Sequence, residues 1–154
     1  MRWFVATVLA LSITAPAATA QSDTTEILAR VQRLFDAMHA KDSTAIVTAM
    51  DTSAILLVHA RRPSGEAVVH IPAARFGGIF ASLPAERQVA EQIYDPEVRI
   101  DGDLATVWAF YVFSVDGNAD HCGVDAFMLM RFADGWRIVS VADTQRRTDC
   151  DRGS

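Results

Sequence analysis

Four side chains of this sequence could hold, donate or accept a proton in a binding site: His59, Tyr111, Asp125 and Asp143. If residues 133–135 form a three-residue hairpin loop, Asp125 lies directly opposite Asp143 on the neighbouring strand. Two carboxylates in cross-strand contact repel each other, so either one of them is protonated or a cation lies between them. A coupled pair of this kind can carry out acid–base chemistry.

The elements that must position these groups are best defined in the last third of the chain. Strand-like runs cover residues 104–115, 121–132 and 136–145, and the intervening residues 116–118 and 134–135 have the composition of tight turns. These lengths and turns predict a long antiparallel meander. The strands are apolar on both pleat faces, so we expect both faces of the sheet to be covered.

Helices are predicted in the N-terminal half. Apolar residues recur there at three- and four-residue intervals and define one face of a helix that ends near Ala40. They are Ile27, Val31, Leu34, Phe35 and Met38. Asp23 and Glu26 have the spacing of a cap at the start of this helix. The elements predicted next are a short helix over 44–50, a strand over 53–60, a loop at 61–65, a third helix from Pro72, and extended segments at 89–94 and 97–100.

The first 20 residues read as an export signal. Arg2 supplies the positive charge, residues 3–15 the apolar stretch, and Ala18-Thr19-Ala20 the small-residue cleavage site. We predict cleavage between Ala20 and Gln21 and a periplasmic or secreted location. The alternative is a membrane anchor, but the apolar stretch is too short to cross a hydrocarbon core of about 30 Å as a helix.

The remaining residues, 21–154, have the length of a single domain. Without Arg2 they carry 13 basic and 19 acidic side chains, a net charge of −6. This charge opposes binding to phosphate backbones and to anionic lipid. We therefore expect neither a nucleic-acid partner nor a membrane partner after signal cleavage.

Cys122 and Cys150 are the two cysteines of the chain. In an oxidising compartment such a pair most simply forms one disulfide. The alternatives are a metal site and a reactive thiol. The spacing favours neither, because no second Cys or His lies at the short intervals typical of zinc ligation, and the four histidines are scattered. We expect no metal and no other cofactor.

The order of elements resembles the nuclear transport factor 2-like (NTF2-like) superfamily, in particular its SnoaL-like and lumazine-binding-like branches. The residues that carry the resemblance are 34–37 with 41–42, 98–107, 123–127 and 134–139. The resemblance spans nearly all of residues 21–154. It implies one α+β domain in which a curved antiparallel sheet wraps, as a cone, around about three helices and leaves a pocket between them. Proteins of this shape serve as isomerases, cyclases, dehydratases, ligand carriers and assembly modules, so the shape alone assigns no activity.

The ketosteroid isomerases of this superfamily need a carboxylate base, a tyrosine and a protonated aspartic acid. Aligning their pattern on residues 130–132 places the aspartic acid position at Met128 and the base within 57–59, while the first helix offers Phe35 instead of tyrosine. His59 is the one residue there that could take a proton. Isomerisation by the carboxylate route is therefore not expected.

The same alignment turns Met128 and its alternate neighbours toward the pocket. The candidate ligand contacts are Phe35, His59, Trp108, Tyr111, Met128 and Met130. Trp108 and Tyr111 lie on opposite faces of one strand, so we expect one of them to line the pocket and the other to support the sheet, and the sequence leaves open which. Asp125 and Asp143 then lie on the convex face, solvated or bridged by arginine, which is the reading we favour over a catalytic pair. The apolar residues beside them, Phe127, Leu129, Val139 and Val141, predict a homodimer packed on that face.

Three functional hypotheses follow. The first is an exported protein that binds a small apolar or heteroaromatic ligand in the cone. The second is an enzyme of the SnoaL-like or ketosteroid-isomerase-like type, which uses His59 or the acid pair, with Tyr111 polarising the substrate. The third is a non-catalytic dimeric interaction module with a filled cone, and a cavity of a few hundred Å³ would count against it. We expect the first and leave enzymatic activity open.

Overall fold

The computed structural model describes residues 16–62 and 65–151, so most of the predicted export signal lies outside the described residues. The described chain forms three helices and six strands. The helices are α1 (Pro16–Ala40), α2 (Ser43–Ala49) and α3 (Ala73–Ala81). The strands are β1 (Met50–Arg62), β2 (Gly65–Pro72), β3 (Val89–Asp101), β4 (Leu104–Val115), β5 (Asn118–Phe132) and β6 (Gly135–Asp143).

The strands form one open sheet in the order β2-β1-β6-β5-β4-β3. The predicted antiparallel meander is confirmed for β3 to β6. The sheet as a whole is mixed, because β1 pairs in parallel with β6. Register shifts interrupt four of the pairings, the three antiparallel ones of the meander and the parallel one between β1 and β6, and such bulges bend a strand. The result is the predicted α+β architecture, a curved sheet with its helices on one side.

The N-terminal elements agree with the sequence pattern except in two places. The expected loop at 61–65 is shorter than predicted, because β1 continues to Arg62 and pairs antiparallel with β2, which begins at Gly65, while residues 63–64 lie outside the described residues. Helix α1 already begins at Pro16 within the described residues, so Asp23 and Glu26 do not cap it. Both side chains reach the sheet instead. Asp23 accepts two hydrogen bonds from the Arg131 guanidinium, at 2.9 and 2.6 Å, and Glu26 accepts one from the Trp136 backbone N–H at 3.2 Å.

The core lies between α1 and the concave face of the sheet. The five residues of the predicted α1 stripe are all buried, as the helical period indicated. They pack against inward side chains of β4, β5 and β6. The largest of these are Val107, Phe127, Leu129, Trp136, Ile138 and Val141. Phe35 meets Phe127 edge to face, with ring centroids 6.1 Å apart.

The predicted orientation of β5 is wrong. Leu129 is fully buried on the concave face, whereas Met128 and Met130 are 40% and 44% exposed on the other side. Phe127, Val141 and Leu129 therefore belong to the core and not to a convex stripe. The error has a simple cause: a one-residue slip in an alignment inverts every side chain of a strand, and both faces of β5 are apolar enough to accept either choice.

The convex face is nevertheless partly apolar. Its exposed large side chains include Leu104, Trp108, Met128, Met130 and Phe132. Homodimerisation through the sheet stays a prediction, and these residues replace the ones from which it was first inferred.

Cys122 and Cys150 lie at disulfide distance, as predicted, with their Cα atoms 5.4 Å apart. Their link fastens the start of β5 to the segment that follows β6. Backbone hydrogen bonds between Cys122 and Arg146, both 2.9 Å long, support the same connection. No helix in the described part of the chain is both long and apolar enough to span a membrane.

We predict that the two neighbours Leu129 and Met128 respond differently to truncation. Leu129→Ala should lower the free energy of unfolding by about 2 to 5 kcal/mol, because it opens a cavity in the core. Met128→Ala should change it by less than about 1 kcal/mol, because the side chain is already exposed. Urea denaturation of both variants measures the difference. A larger loss at Met128 than at Leu129 would contradict the orientation of β5 described above.

Candidate functional site

A cavity of about 330 Å³ opens between α1, α3 and the concave face of the sheet. Most of its wall is apolar. Helix α1 contributes Leu34, Phe35 and Met38, helix α3 contributes Phe76, Ile79 and Phe80, and the strands contribute Leu56, Val58, Ile71, Phe113, Phe127 and Val141. The cavity exists because the helices cover the bent sheet without filling its concave side.

Polar side chains gather on the sheet side of this cavity. They are Glu91, Tyr111, His121, Asp125, Asp143 and Gln145. Neighbouring strands supply them, since β3 to β6 lie side by side and their inward residues share one surface. The site is therefore a mainly apolar pocket that carries a group of acids.

Asp125 and Asp143 are cross-strand partners, as predicted. The route to this pairing differs from the expected one. The β5–β6 hairpin has a two-residue loop, because Phe132 pairs with Gly135, and this alone would have shifted the acids out of register. A bulge then adds Val139 between the positions that face Leu129 and Met128, which restores the pairing.

Both acids point into the cavity, so the favoured expectation of two solvated acids on the convex face is wrong. Asp125 is only 4% exposed. Burial, and next the negative charge of Asp143, raise the pKa of Asp125 to about 7, while a hydrogen bond from Glu91 acts in the opposite direction. Asp125 is thus a carboxyl group that can gain or lose its proton near neutral pH.

Glu91 is the partner that shares a proton with Asp125. Burial raises the pKa of Glu91 well above its usual value, and the charge of Asp125, their hydrogen bond and the charge of Asp143 raise it further. The Glu91 carboxyl is therefore held toward its neutral form, which can donate a hydrogen bond to the Asp125 carboxylate. Asp143 has different hydrogen-bond partners from these two acids. It accepts one hydrogen bond from the Gln145 amide at 2.9 Å and one from the Tyr111 hydroxyl at 3.3 Å.

Tyr111 is buried and its hydroxyl is directed to the protein. It donates to the Thr144 carbonyl oxygen at 3.0 Å as well as approaching Asp143. Gly123, its cross-strand partner, permits this, because a Cβ at Gly123 would overlap the Thr144 carbonyl. Burial, followed by the charges of Asp143, Asp125 and Glu91, raises the pKa of Tyr111, so its hydroxyl stays protonated. The expected role of Tyr111 in polarising a substrate finds no support in this arrangement.

The structure thus places some of the predicted site residues in the cavity and others outside it. Phe35, Tyr111, Asp125 and Asp143 line the cavity. His59 is exposed and lies in an adjoining hollow, which it shares with Thr144 and Arg146 and which also touches Asp143. The pairing of His59 with Tyr111 in one pocket is therefore wrong.

The remaining predicted contacts lie on the other side of the sheet. Trp108 and Met128 line a hollow on the convex face, and Met130 is exposed on the same face. Met128 and Met130 were placed by the same one-residue slip that inverted β5. For Trp108 and Tyr111 the sequence left open which one lines the pocket, and it is Tyr111.

Two residues of the site were missed, Glu91 and His121. Glu91 occupies the inward position between Val89 and Ile93, so an acid interrupting an otherwise apolar alternate row was the available signal. The His121 ring stacks on Phe113, with centroids 4.9 Å apart, and its Nδ1 lies 2.9 Å from an Asp120 carboxylate oxygen. Within residues 16–62 and 65–151, no group of three His, Cys, Asp or Glu side chains has the geometry of a metal site.

Solved structures with a similar backbone are numerous. An NTF2-like protein with a cystatin-like fold from Novosphingobium aromaticivorans is 18% identical to this chain, with a TM-score of 0.68 over 86% of this chain and 88% of the other. An NTF2-like protein of unknown function from Silicibacter pomeroyi is 19% identical, with a TM-score of 0.64 over 82% of this chain and 98% of the other. This chain has the NTF2-like fold.

A protein of unknown function from Mycobacterium tuberculosis also has a similar backbone, at 14% identity and a TM-score of 0.73 over 91% of this chain and 81% of that one. Likeness at these identities concerns the fold alone. Neither a protein-family model nor a curated protein matches the sequence. Function must therefore be argued from the cavity and its acids.

The acids predict an unusual pH dependence of stability. Because the folded-state pKa of Asp125 exceeds that of an unfolded aspartic acid, the folded state holds the proton more tightly. The contribution of this group to stability is complete below about pH 4 and is lost as pH rises through about 7. We expect the free energy of unfolding to fall between about pH 5 and about pH 8, and to fall less in Asp125→Asn.

Urea denaturation across this pH range measures the effect. Asp36→Asn is the matched control, since it makes the same change of charge at an exposed position of α1. The control should keep the wild-type slope. Parallel stability curves for wild type and Asp125→Asn would show that Asp125 titrates normally.

Proposed function

We propose that this protein binds a small, largely apolar molecule inside the cone. The cavity between α1, α3 and the sheet carries this proposal, because its size and its apolar wall suit such a ligand. Small-molecule sites are typically clefts of about 300 to 1,000 Å³, lined mainly by apolar and aromatic side chains with a few polar groups that fix orientation. A filled cone that acts only as an interaction module fits this cavity less well.

The two ends of the ligand would meet different surroundings. Its apolar body would leave water for the wall formed by α1 and α3, which stabilises binding by roughly 25 cal/mol for each Å² buried. Its polar end would face Glu91, Asp125 and Asp143. Those acids are acceptors with one shared proton, so they orient the ligand through hydrogen bonds and disfavour an anion.

We further propose that the protein is exported, with cleavage between Ala20 and Gln21. The cysteine pair at disulfide distance is compatible with an oxidising compartment. The net charge of −5 for the whole chain supports the expectation that nucleic acid is not a partner.

Filling the cavity should abolish binding. Val58 lines the cavity, so the larger ring of Val58→Trp should occupy part of its volume. We expect this variant to bind the apolar dye N-phenylnaphthylamine about tenfold or more weakly than wild type. Dye fluorescence measures the affinity, and circular dichroism verifies the fold. Val68→Trp is the matched control, because Val68 is 59% exposed on β2 and does not line the cavity.

Equal dye binding by wild type and Val58→Trp would contradict the proposal. It would show that the dye binds elsewhere, for example in the convex hollow beside Trp108.

A proton-transfer enzyme is the second candidate function. One observation favours it: the cavity holds a carboxylic acid, Glu91, beside a carboxyl group, Asp125, whose pKa of about 7 suits a general base. This is the acid-pair form of the SnoaL-like hypothesis, with Glu91 taking the place that the sequence had assigned to Asp143 as the partner of Asp125. A substrate with an acidic C–H next to a carbonyl would fit such a pair.

Hydrogen–deuterium exchange tests this candidate without knowledge of the complete reaction. In deuterated water, wild-type protein should speed exchange at the carbon next to the carbonyl of tetralone, an apolar ketone. Asp125→Asn should lower the catalysed rate by about 100-fold or more, because a positioned base contributes at least that factor. Asp36→Asn should retain the full rate. Exchange at the buffer rate with wild-type protein would leave only the binding function.

A further inference from the structure

The polar side of the cavity offers acceptors and a negative charge, and its one basic side chain among the described lining residues is His121, whose Nδ1 lies against the Asp120 carboxylate. Its acids are Glu91, Asp125 and Asp143, and no lysine or arginine is among the described residues that line the cavity. A ligand that enters this space must supply hydrogen-bond donors, and a positive charge would be balanced there. The net charge of the whole chain, −5, also attracts cations to the protein.

Asp125 has a buried oxygen that lacks a hydrogen-bond donor. It is 96% buried, and its Oδ2 atom receives no hydrogen bond from the donors fixed in the described structure. The nearby donors have other acceptors, since Tyr111 donates to Thr144 and Gln145 donates to Asp143. The Glu91 carboxyl group is therefore the remaining hydrogen-bond donor to Asp125 within the protein, unless a bound molecule supplies another donor.

Aromatic rings stand beside these acids. Phe113 is the cross-strand partner of Glu91, and Phe35 and Phe127 pack edge to face in the wall next to them. The faces of aromatic rings attract cations, and this attraction is strongest where water is excluded. Acids and rings therefore favour the same kind of group.

We propose that the ligand is a hydrophobic amine whose ammonium group binds among Glu91, Asp125 and Asp143, where the buried Asp125 Oδ2 atom lacks a donor. This inference rests on the proposed binding function and not on the proton-transfer candidate. An alkylammonium ion keeps its own protons at neutral pH. The ammonium favours the ionised form of both acids, so the proton that the Glu91–Asp125 pair holds in the free protein is released to the buffer when the ammonium binds.

Three compounds with the same aromatic body test the charge preference: naphthylethylamine, naphthylethanol and naphthylacetate. At neutral pH we expect wild-type protein to bind the amine about tenfold more tightly than the alcohol, because hydrogen bonds to charged partners are the stronger ones. The acetate should bind most weakly. Calorimetry in phosphate and in Tris, which differ in ionisation enthalpy, should show release of about one proton for each amine bound and none for the alcohol.

Two variants locate the effect. Asp125→Asn should weaken amine binding by about tenfold and leave alcohol binding within about twofold. Glu91→Gln keeps the Asp125 carboxyl group but removes one of the two groups that can hold the displaced proton, so it should release fewer protons than wild type for each amine bound. Asp36→Asn, at the outer surface, should behave as wild type in every arm.

The outcomes separate the two proposals. If N-phenylnaphthylamine and the alcohol bind but the amine has no advantage, the binding function stands and the amine inference fails. If the amine advantage survives in Asp125→Asn, or wild-type binding releases no proton, the inference also fails. If none of the probes binds, both proposals fail.

Discussion

The extra residue at Val139 in β6 determines which side chains of this strand reach the cavity. Before the bulge, Trp136 and Ile138 point into the core, and simple alternation would continue with Ser140 and Ala142. The added residue reverses the alternation, so that Val141 and Asp143 face inward instead. Without it Asp143 would lie on the convex face and the cavity would lose one of its three acids.

The helices depend on the same face of the sheet. The apolar stripe of α1 packs on the inward residues of β5 and β6. Arg131 of β5 holds the first half of α1 by donating to Asp23, and the Arg131 guanidinium lies 4.4 Å from the centre of the Trp136 ring. This contact fixes one side of the cone. Helix α3 stands on the other side, and the space between them is left open because the sheet curves away from the helices.

Burying Glu91 beside Asp125 is unfavourable for folding, since two carboxyl groups in a low-dielectric space cannot both ionise. Leucine at these positions would extend the apolar core. Groups of this kind, strongly perturbed by burial and by each other and lining a cavity, are typical of functional sites. Small residues complete the arrangement, because Gly123 leaves room for the Thr144 carbonyl that accepts the Tyr111 proton.

The sequence by itself determined the helical stripe, the meander, the cysteine pairing and the α+β class, because each follows from a period, a turn composition or a count that local chemistry dictates. It also paired Asp125 with Asp143, although by a loop one residue too long and without the bulge that compensates. Tertiary structure alone decided which face is concave. Both faces of β5 are apolar, so only the docking of α1 selects Phe127 and Leu129 over Met128, and the same choice carries Glu91, Asp125 and Asp143 into one cavity.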